Sequence, residues 1–240
     1  MDTATLCPLT EDQILAAVAA QRDEAVAQLQ ALVALPSLLG DEAPAQALMA
    51  QRFRALGLDV QQVVIDEAKL RGHPGYSPSI VSYDGRVNVV GVHRPRVVRG
   101  RSLILNGHID VVPVGAASLW TRPPFEPWID GDRLHGRGAC DMKAGIVAYT
   151  MALQALQRLG WQPAAPVILQ SVIEEECTGN GALACLLAGY TADAALIPEP
   201  FDQVMSAQMG VMWLTLDVYG VPVHASVAHT GIGAIEFAQH

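Results

Sequence analysis

The chain has 240 residues, 51% of them hydrophobic, and carries a formal net charge of −9. This length suits one large domain or two small ones, and the apolar content is enough for a sizeable core. The negative charge argues against nucleic acids and anionic membranes as partners. No apolar run approaches the ~20 residues needed to span a bilayer. Bulk properties therefore argue against nucleic-acid-binding and membrane-spanning proteins.

The N-terminal segment and the cysteines indicate a compartment. The sequence MDTATLCPLTEDQ has neither the basic region nor the apolar region of a signal peptide. The cysteines show no CxxC spacing and are expected to be reduced thiols; they are Cys7, Cys140, Cys177 and Cys185. We therefore expect a cytoplasmic protein.

The first third of the chain is predicted to form helices and strands that support the fold. Thr10 and Gln13 form a capping box, which predicts the start of a helix over 10–34. A second helix is predicted over 41–56, with a glycine directly after it as its stop signal. Two strands follow in this part of the chain, at 60–65 and 87–93. None of these elements carries residues that point to chemistry.

Strands and helices alternate through the rest of the chain. The predicted elements are a strand over 103–110, a hairpin over 127–135 with its turn at Asp130-Gly131, a helix over 142–159, a strand over 164–173, a helix over 180–187 and a strand over 193–197. The composition then shifts, and a strand over 211–219, a loop over 220–233 and a helix from Ile232 are predicted. This pattern predicts the α/β class, with a mixed sheet flanked by helices.

Metal-competent side chains follow the apolar strands. His108 and Asp110 end one strand, the triplet 174–176 follows the next, and Glu199 follows a third, while Asp141 opens a helix. Ligands of α/β sheets bind at the carboxyl ends of strands. Carboxylates gathered there repel one another, and a divalent cation removes that cost. Imidazole with carboxylates suits Zn²⁺, with Co²⁺ or Mn²⁺ as substitutes, so we predict one assembled metal site.

The glutamate triplet requires a change of direction. In a continuing strand Glu174 and Glu176 would point to one face and Glu175 to the other. A base and a ligand must both face the metal, so the strand is predicted to turn here. The segment 177–181, CTGNG, supplies turn residues directly afterwards. Spacing alone leaves open which glutamate is base and which is ligand.

An ordered set of motifs then identifies a family. The segments NGHID, PPFEP, DGDRLHGRGACDMKAG, SVIEEECTGNGA, IPEP and YGVPVHAS resemble the acetylornithine deacetylase, succinyl-diaminopimelate desuccinylase and glutamate carboxypeptidase family of co-catalytic zinc amidohydrolases. The resemblance covers roughly 88–240. It implies a zinc-peptidase-like catalytic domain over 1–207, the start of a small α+β lid or dimerisation domain over 208–240, and a homodimer for the full-length family member.

The resemblance implies a two-zinc centre. Carried over by position, His108 and Glu199 bind one zinc, Glu176 binds the other, and Asp141 bridges the two. Asp110 orients the His108 ring, as carboxylates commonly do for zinc-bound histidines.

The resemblance also implies catalytic roles. Glu175 is the general base, and His224 in the lid steadies the tetrahedral oxyanion, often in the active site of the dimer partner. Glu174 is interpreted either as a supporting residue or as a solvated or hydrogen-bonded neighbour. The implied reaction is hydrolysis of the amide of an N-acyl amino acid or a peptide-like small substrate.

The chain departs from the family pattern at its end. In the family the catalytic domain resumes after the lid and supplies a final histidine ligand, whereas this sequence stops at His240. The zinc held by Glu176 is therefore expected to lack its histidine, and we do not expect His229 or His240 to replace it. We also expect uncovered apolar sheet surface.

Three functional hypotheses remain at this stage. The first is a zinc-dependent deacylase, represented by its N-terminal portion. The second is a truncated, non-catalytic chain that keeps one metal site at most. The third is a carboxypeptidase or dipeptidase of the same family, because both activities cleave an amide beside a carboxylate.

Overall fold

The computed structural model describes residues 9–205, 207, 210 and 214–239. The chain divides into two compact units, Met1–Asp202 and Gln203–His240. The helices of the first unit are α1 (Glu11–Ala19), α2 (Arg22–Val33), α3 (Ala43–Ala55), α4 (Glu67–Leu70), α5 (Ala144–Arg158) and α6 (Asn180–Leu187). Its strands are β1 (Asp59–Val64), β2 (Val87–His93), β3 (Leu103–His108), β4 (Trp128–Asp130), β5 (Arg133–His135), β6 (Val167–Val172) and β7 (Ala194–Leu196).

Five of the strands form one mixed sheet in the order β1-β2-β6-β3-β7. β1 and β6 pair with β2 in antiparallel fashion, whereas β3 pairs in parallel with both β6 and β7. In this register His108 lies opposite Val172, and Leu105 lies opposite Leu196. The carboxyl ends of β3, β6 and β7 therefore meet at one edge, and the predicted fold class is confirmed.

Buried apolar strands form the core of the first unit, and β6 is buried along its whole length. Two glycines let helices approach the sheet closely. A Cβ at Gly91 in β2 would lie 2.9 Å from Phe53 Cδ2 of α3, and one at Gly107 in β3 would lie 2.8 Å from Ile146 Cγ1 of α5. Larger side chains at these two glycines would push the helices off the sheet.

The single helix predicted over 10–34 is wrong. The capping box at Thr10 is present, but the helix ends at Ala19 and a new one begins at Arg22. Gln21 between them is buried, and its side-chain amide donates to the carbonyl oxygens of Ala17 at 3.1 Å and Met151 at 3.5 Å. The break is therefore stabilised by a contact with α5, which no local pattern reveals.

Most other elements agree with the sequence to within a few residues. β2 and α6 have the predicted bounds, and the hairpin β4–β5 turns at Gly131 and Asp132, one residue later than predicted. Two short helices, α4 and a 3₁₀ helix over 117–119, lie in segments for which no helix was predicted. Every helix in the part of the chain that the structure describes is too short or too polar to cross a membrane.

The second unit contains a bridge between Val221 and Ile232, a short 3₁₀ helix over Ala225–Thr230 and α7 (Ala234–Phe237). The strand predicted over 211–219 is wrong over 214–219, where no strand forms, and 211–213 lie outside the described residues. Leu214 and Leu216 are exposed there, because no described strand pairs with this segment. The assignment of the two units as catalytic and lid domains stays a prediction.

Candidate metal centre

The end of β3 delivers His108 to the carboxyl edge of the sheet, where the residue is only 1% exposed. Its Nδ1 lies 2.9 Å from the backbone carbonyl oxygen of Asp110. A carbonyl oxygen only accepts, so Nδ1 carries the proton and Nε2 of the neutral ring keeps its lone pair. Nε2 lies 3.1 Å from Asp141 Oδ1. The ring is thus held in the tautomer that a metal ligand requires.

The segment after β3 is anchored on both sides. Ile109 N donates to Val172 O of β6 at 2.8 Å, and Val111 N donates to Ser37 O at 3.0 Å. The buried Ser37 hydroxyl donates to Ile109 O at 2.6 Å. These bonds fix the backbone that presents His108 and Asp110.

Asp110 contacts both the His108 ring and the turn after β6, and its predicted orienting role stays a prediction. The His108 ring bonds to its backbone carbonyl, while its carboxylate Oδ1 is 3.7 Å from Nδ1. That carboxylate instead accepts the backbone N–H groups of Glu175 at 3.3 Å and Glu176 at 3.1 Å. Burial raises the pKa of Asp110, although His108 and these two N–H groups act in the opposite direction. Asp110 therefore ties the segment after β3 to the segment after β6.

The predicted turn after β6 is present. The strand ends at Val172, and Glu174 has a φ of +62°, which is uncommon for a residue other than glycine. The carbonyl of Glu174 accepts the N–H groups of Thr178 at 3.1 Å and Gly179 at 2.7 Å. A Cβ at Gly181 would lie 2.0 Å from Ile173 O, so only glycine lets α6 begin this close to the turn.

Glycines of the GRGACDMKAG motif bring Asp141 and Glu199 together. Gly138 has a φ of +76°, and a Cβ there would lie 2.5 Å from Val111 Cγ1. At Gly145, in the first turn of α5, a Cβ would lie 2.3 Å from the carbonyl oxygen of Pro198. The start of α5 thereby packs directly against the segment that carries Glu199.

Three predicted ligands form one cluster. Donor atoms of His108, Asp141 and Glu199 all lie within 4.8 Å of one another. His108 Nε2 is 3.8 Å from Glu199 Oε1 and 3.9 Å from Glu175 Oε2. Glu176 is not part of this group, although its backbone N–H is held by Asp110.

The cluster concentrates negative charge. Burial would lower the pKa of His108, but Asp110, Glu175 and Glu199 outweigh it and raise that pKa. Burial raises the pKa of Glu199 to about 7; the positive charge of His108 opposes this, and the charges of Asp141 and Glu175 add to it. Such shifts of neighbouring carboxylates are typical of functional sites.

Glu174 lies apart from the cluster and is completely buried. Its carboxylate accepts hydrogen bonds from the hydroxyls of Ser79 at 2.6 Å, Thr178 at 2.7 Å and Tyr83, and from Arg86 Nη1 at 2.7 Å. Burial raises its pKa, yet these donors outweigh burial and hold the pKa below its ordinary value. Glu174 is therefore not solvated, and its interpretation as a supporting residue stays a prediction.

His224 lies in the second unit, directly before the 3₁₀ helix over Ala225–Thr230. Its ring is exposed, and Nδ1 lies 2.8 Å from Ser226 Oγ and accepts Ser226 N–H at 3.2 Å. Its predicted role stays a prediction.

Sequence reasoning missed two buried cations. Lys143 is completely buried, and its ammonium donates to Leu32 O at 3.0 Å and Leu35 O at 2.9 Å. Burial lowers the pKa of Lys143 to about 8. The other cation is Arg86. Lys143 stands inside the glycine motif and could have been singled out, whereas nothing local marks Arg86.

A cavity of about 290 Å³ lies beside the segment that leads into Asp141, and Cys140 lines it. His135 stacks on Trp128 with ring centroids 4.2 Å apart, and the Arg122 guanidinium lies 4.5 Å from the Trp128 centroid. Within the described residues, the buried His135 Nε2 has no hydrogen-bond partner. The cavity thus offers a cation and aromatic surface.

A mixed α/β sheet with a histidine and several carboxylates at its carboxyl edge is an arrangement used by metal-dependent hydrolases. The model of Peptidase family M20/M25/M40 matches residues 104–235, more than half of the chain. The chain belongs to this family. The family resemblance drawn from the motifs is thereby confirmed.

Relatives and solved structures agree with this assignment. The chain is 32% identical to the N-formyl-4-amino-5-aminomethyl-2-methylpyrimidine deformylase of Halalkalibacterium halodurans, over 85% of this chain and 45% of that protein. It is 29% identical to the succinyl-diaminopimelate desuccinylase of Variovorax paradoxus, over 82% of this chain and 50% of that protein. A tripeptidase of Staphylococcus aureus shares the fold, with a TM-score of 0.57 and 23% identity. The match covers 90% of this chain and 54% of the tripeptidase. The chain spans about half the length of the curated relatives it matches.

Proposed function

We propose that this chain carries the site of a metal-dependent hydrolase that cleaves the amide of an N-acyl amino acid or a related small substrate. The observation that carries the proposal is the cluster of His108, Asp141 and Glu199, whose donor atoms lie within 4.8 Å of one another. The names of the two relatives, a deformylase and a desuccinylase, support removal of an acyl group.

The donor set fits a divalent cation such as Zn²⁺, with Co²⁺ or Mn²⁺ as substitutes. His108, Asp141 and Glu199 would hold one ion, and the family resemblance assigns a second ion to Asp141 and Glu176. When bound, the metal supplies Lewis acidity that polarises the amide carbonyl and makes water more acidic.

The side chains around the cluster perform the proton transfers. Glu175 is half exposed, and its Oε2 lies 3.9 Å from His108 Nε2, so its carboxylate is beside the ligands and open to a substrate. We assign it the role of general base, which takes the proton of the attacking water and returns it to the leaving amine. Such catalysis contributes ~10²–10⁴-fold. By the family resemblance, His224 steadies the oxyanion of the tetrahedral intermediate.

Substrate selection is assigned in part to the cavity beside Asp141. The Arg122 guanidinium beside Trp128 favours an acyl group or side chain that carries a carboxylate. A peptidase remains the second candidate, because the tripeptidase of S. aureus has the same fold. A non-catalytic chain with a single metal site is the third.

The proposal includes a cytoplasmic location and a homodimer. The described thiols of Cys140, Cys177 and Cys185 are free, which supports the proposed cytoplasmic location. The homodimer and the lid function of the second unit are proposed from the family resemblance.

Hydrolysis by the purified, zinc-loaded chain tests the proposal. We expect release of the amine from N-succinyl or N-formyl amino acids, and loss of that activity on chelation. Cleavage of dipeptides with no action on N-acyl amino acids would favour the peptidase. No hydrolysis of either class, with zinc bound, would favour the non-catalytic chain.

A further inference from the structure

A buried ion triad lies behind the turn that carries Glu175 and Glu176. Arg86 Nε and Nη2 donate to the two carboxylate oxygens of Glu42, at 3.0 and 2.5 Å, and Nη1 donates to Glu174 Oε1 at 2.7 Å. The three side chains are 5%, 1% and 0% exposed. One guanidinium therefore links two carboxylates from distant parts of the chain.

The charges of the triad are compensated by hydrogen bonds within the first unit. Arg86 neutralises one of the two carboxylate charges, and the remaining charge is spread over hydroxyl donors from Ser79, Tyr83 and Thr178 to Glu174. Charge-assisted bonds of this kind are short and directional. Burial makes the loss of any one partner costly, because it would leave a charge without compensation.

The backbone of Glu174 explains why such an anchor is needed. Its φ of +62° lies in the left-handed region, which a side-chain-bearing residue occupies only when its surroundings hold it there. This conformation points the N–H groups of the next two residues at the Asp110 carboxylate. The position of Glu175 and Glu176 thus depends on how firmly the Glu174 side chain is held.

We propose that Arg86 is a positioning residue: through Glu42 and Glu174 it holds the turn that presents Glu175 and Glu176. Any effect of Arg86 on catalysis rests on the proposed function, whereas its effect on the position of the turn does not. A purely structural Arg86 would stabilise the whole first unit evenly. A positioning Arg86 stabilises the turn more than the sheet.

Amide hydrogen exchange of the metal-free chain separates these two roles. The variant is Arg86→Lys, which keeps the charge but cannot bond two carboxylates through a planar fork. The control is Arg94→Lys, at an exposed pair with Asp59 at 4.0 Å. We expect the amides of Glu175 and Glu176 to exchange at least about tenfold faster in Arg86→Lys, with the slow amides of β2 and β6 unchanged.

Two results would overturn the proposal. The first is that the amides of Glu175 and Glu176 exchange in Arg86→Lys at the wild-type rate. The second is that exchange in this variant is accelerated equally at these two amides and throughout β2 and β6. If Arg86→Lys does not fold, Ser79→Ala decides in the same way, because it removes one donor to Glu174 and no charge. We expect about threefold faster exchange at the two amides there, and unchanged exchange would reject the proposal.

A kinetic measurement then connects the turn with catalysis. If the chain hydrolyses an N-acyl amino acid, Arg86→Lys is expected to lower kcat about tenfold and to leave KM unchanged. If the chain has no hydrolase activity, the kinetic measurement cannot be made, but the exchange experiment still tests the positioning role of Arg86. The proposed function and the positioning role can therefore be rejected independently.

Discussion

Two groups of acidic side chains meet at the turn after β6, and they differ in how their charge is balanced. Glu42 and Glu174 share the guanidinium of Arg86 and are completely enclosed. Asp141 and Glu199, with Glu175 beside them, crowd around the imidazole of His108. In the part of the chain that the structure describes, no arginine or lysine pairs with these last three carboxylates.

The difference separates a structural group from a reactive one. At Glu174, hydrogen bonds from three hydroxyls and from Arg86 outweigh burial, hold the pKa below its ordinary value and fix the side chain. At Glu199, burial and the charges of Asp141 and Glu175 raise the pKa to about 7, and a cation from outside would relieve the repulsion. The turn places the two groups next to each other, so that the first can hold residues of the second.

The largest expected effect belongs to the group without its own cation. Glu175→Gln removes the proposed base and should lower kcat by ~10²–10⁴-fold, while zinc binding stays within about twofold because Glu175 is not an assigned ligand. Steady-state kinetics and zinc titration measure both quantities. Glu126→Gln, at an exposed position, is the control. Equal loss of activity and zinc affinity would instead make Glu175 a ligand.

The pH dependence of zinc affinity sharpens the same comparison. Zinc must displace the protons that His108 and Glu199 bind, and both groups have raised pKa values, with Glu199 at about 7. Affinity should therefore be nearly constant above these pKa values and fall about tenfold per pH unit for each displaced proton below them. Calorimetric titration between pH 8 and pH 6 measures this fall. Constant affinity across that range would contradict the assigned ligands.

The packing that joins Asp141 to Glu199 is tested at Gly145. Gly145→Ala forces a Cβ to within 2.3 Å of Pro198 O, so α5 or the Glu199 segment must shift. We expect a loss of about 1–3 kcal/mol in the free energy of unfolding, together with weaker zinc binding. Gly72→Ala is the matched control, since nothing lies within 4 Å of a Cβ there. Chemical denaturation measures the difference, and equal stability of the two variants would rule out the close approach.

Much of this site could be predicted because its residues follow apolar strands. The strands that end near His108, Glu174 and Glu199 are short apolar runs, and parallel pairing brings their ends to one edge. The turn at Glu174 could be predicted as well, since alternation alone would send neighbouring glutamates to opposite faces.

Long-range partners could not be predicted in this way. Arg86 is far from Glu174 in sequence, and no periodicity marks an arginine that bridges two buried carboxylates. The same holds for Gln21, which breaks the first helix through a bond to Met151. The His108 ring bonds to the backbone of Asp110 rather than to its carboxylate, a choice set by the turn after β3.

The smallest expected effect concerns the cavity beside Asp141. Arg122→Gln should raise KM about threefold to tenfold for an N-succinyl amino acid, which carries an extra carboxylate, and leave KM for the N-formyl analogue unchanged. Arg101→Gln is the control at an exposed arginine. Parallel kinetics on the two substrates decide the matter, and an equal change for both would remove the cavity from substrate selection.

The most direct test of a metal centre at this edge is the zinc content of the purified chain. Elemental analysis after dialysis would compare the wild type with His108→Ala, and with His73→Ala as the control at a loop histidine. We predict about one tightly held zinc per chain in the wild type and in His73→Ala, and none in His108→Ala. A wild-type chain without zinc, or a His108→Ala chain that keeps it, would contradict the account.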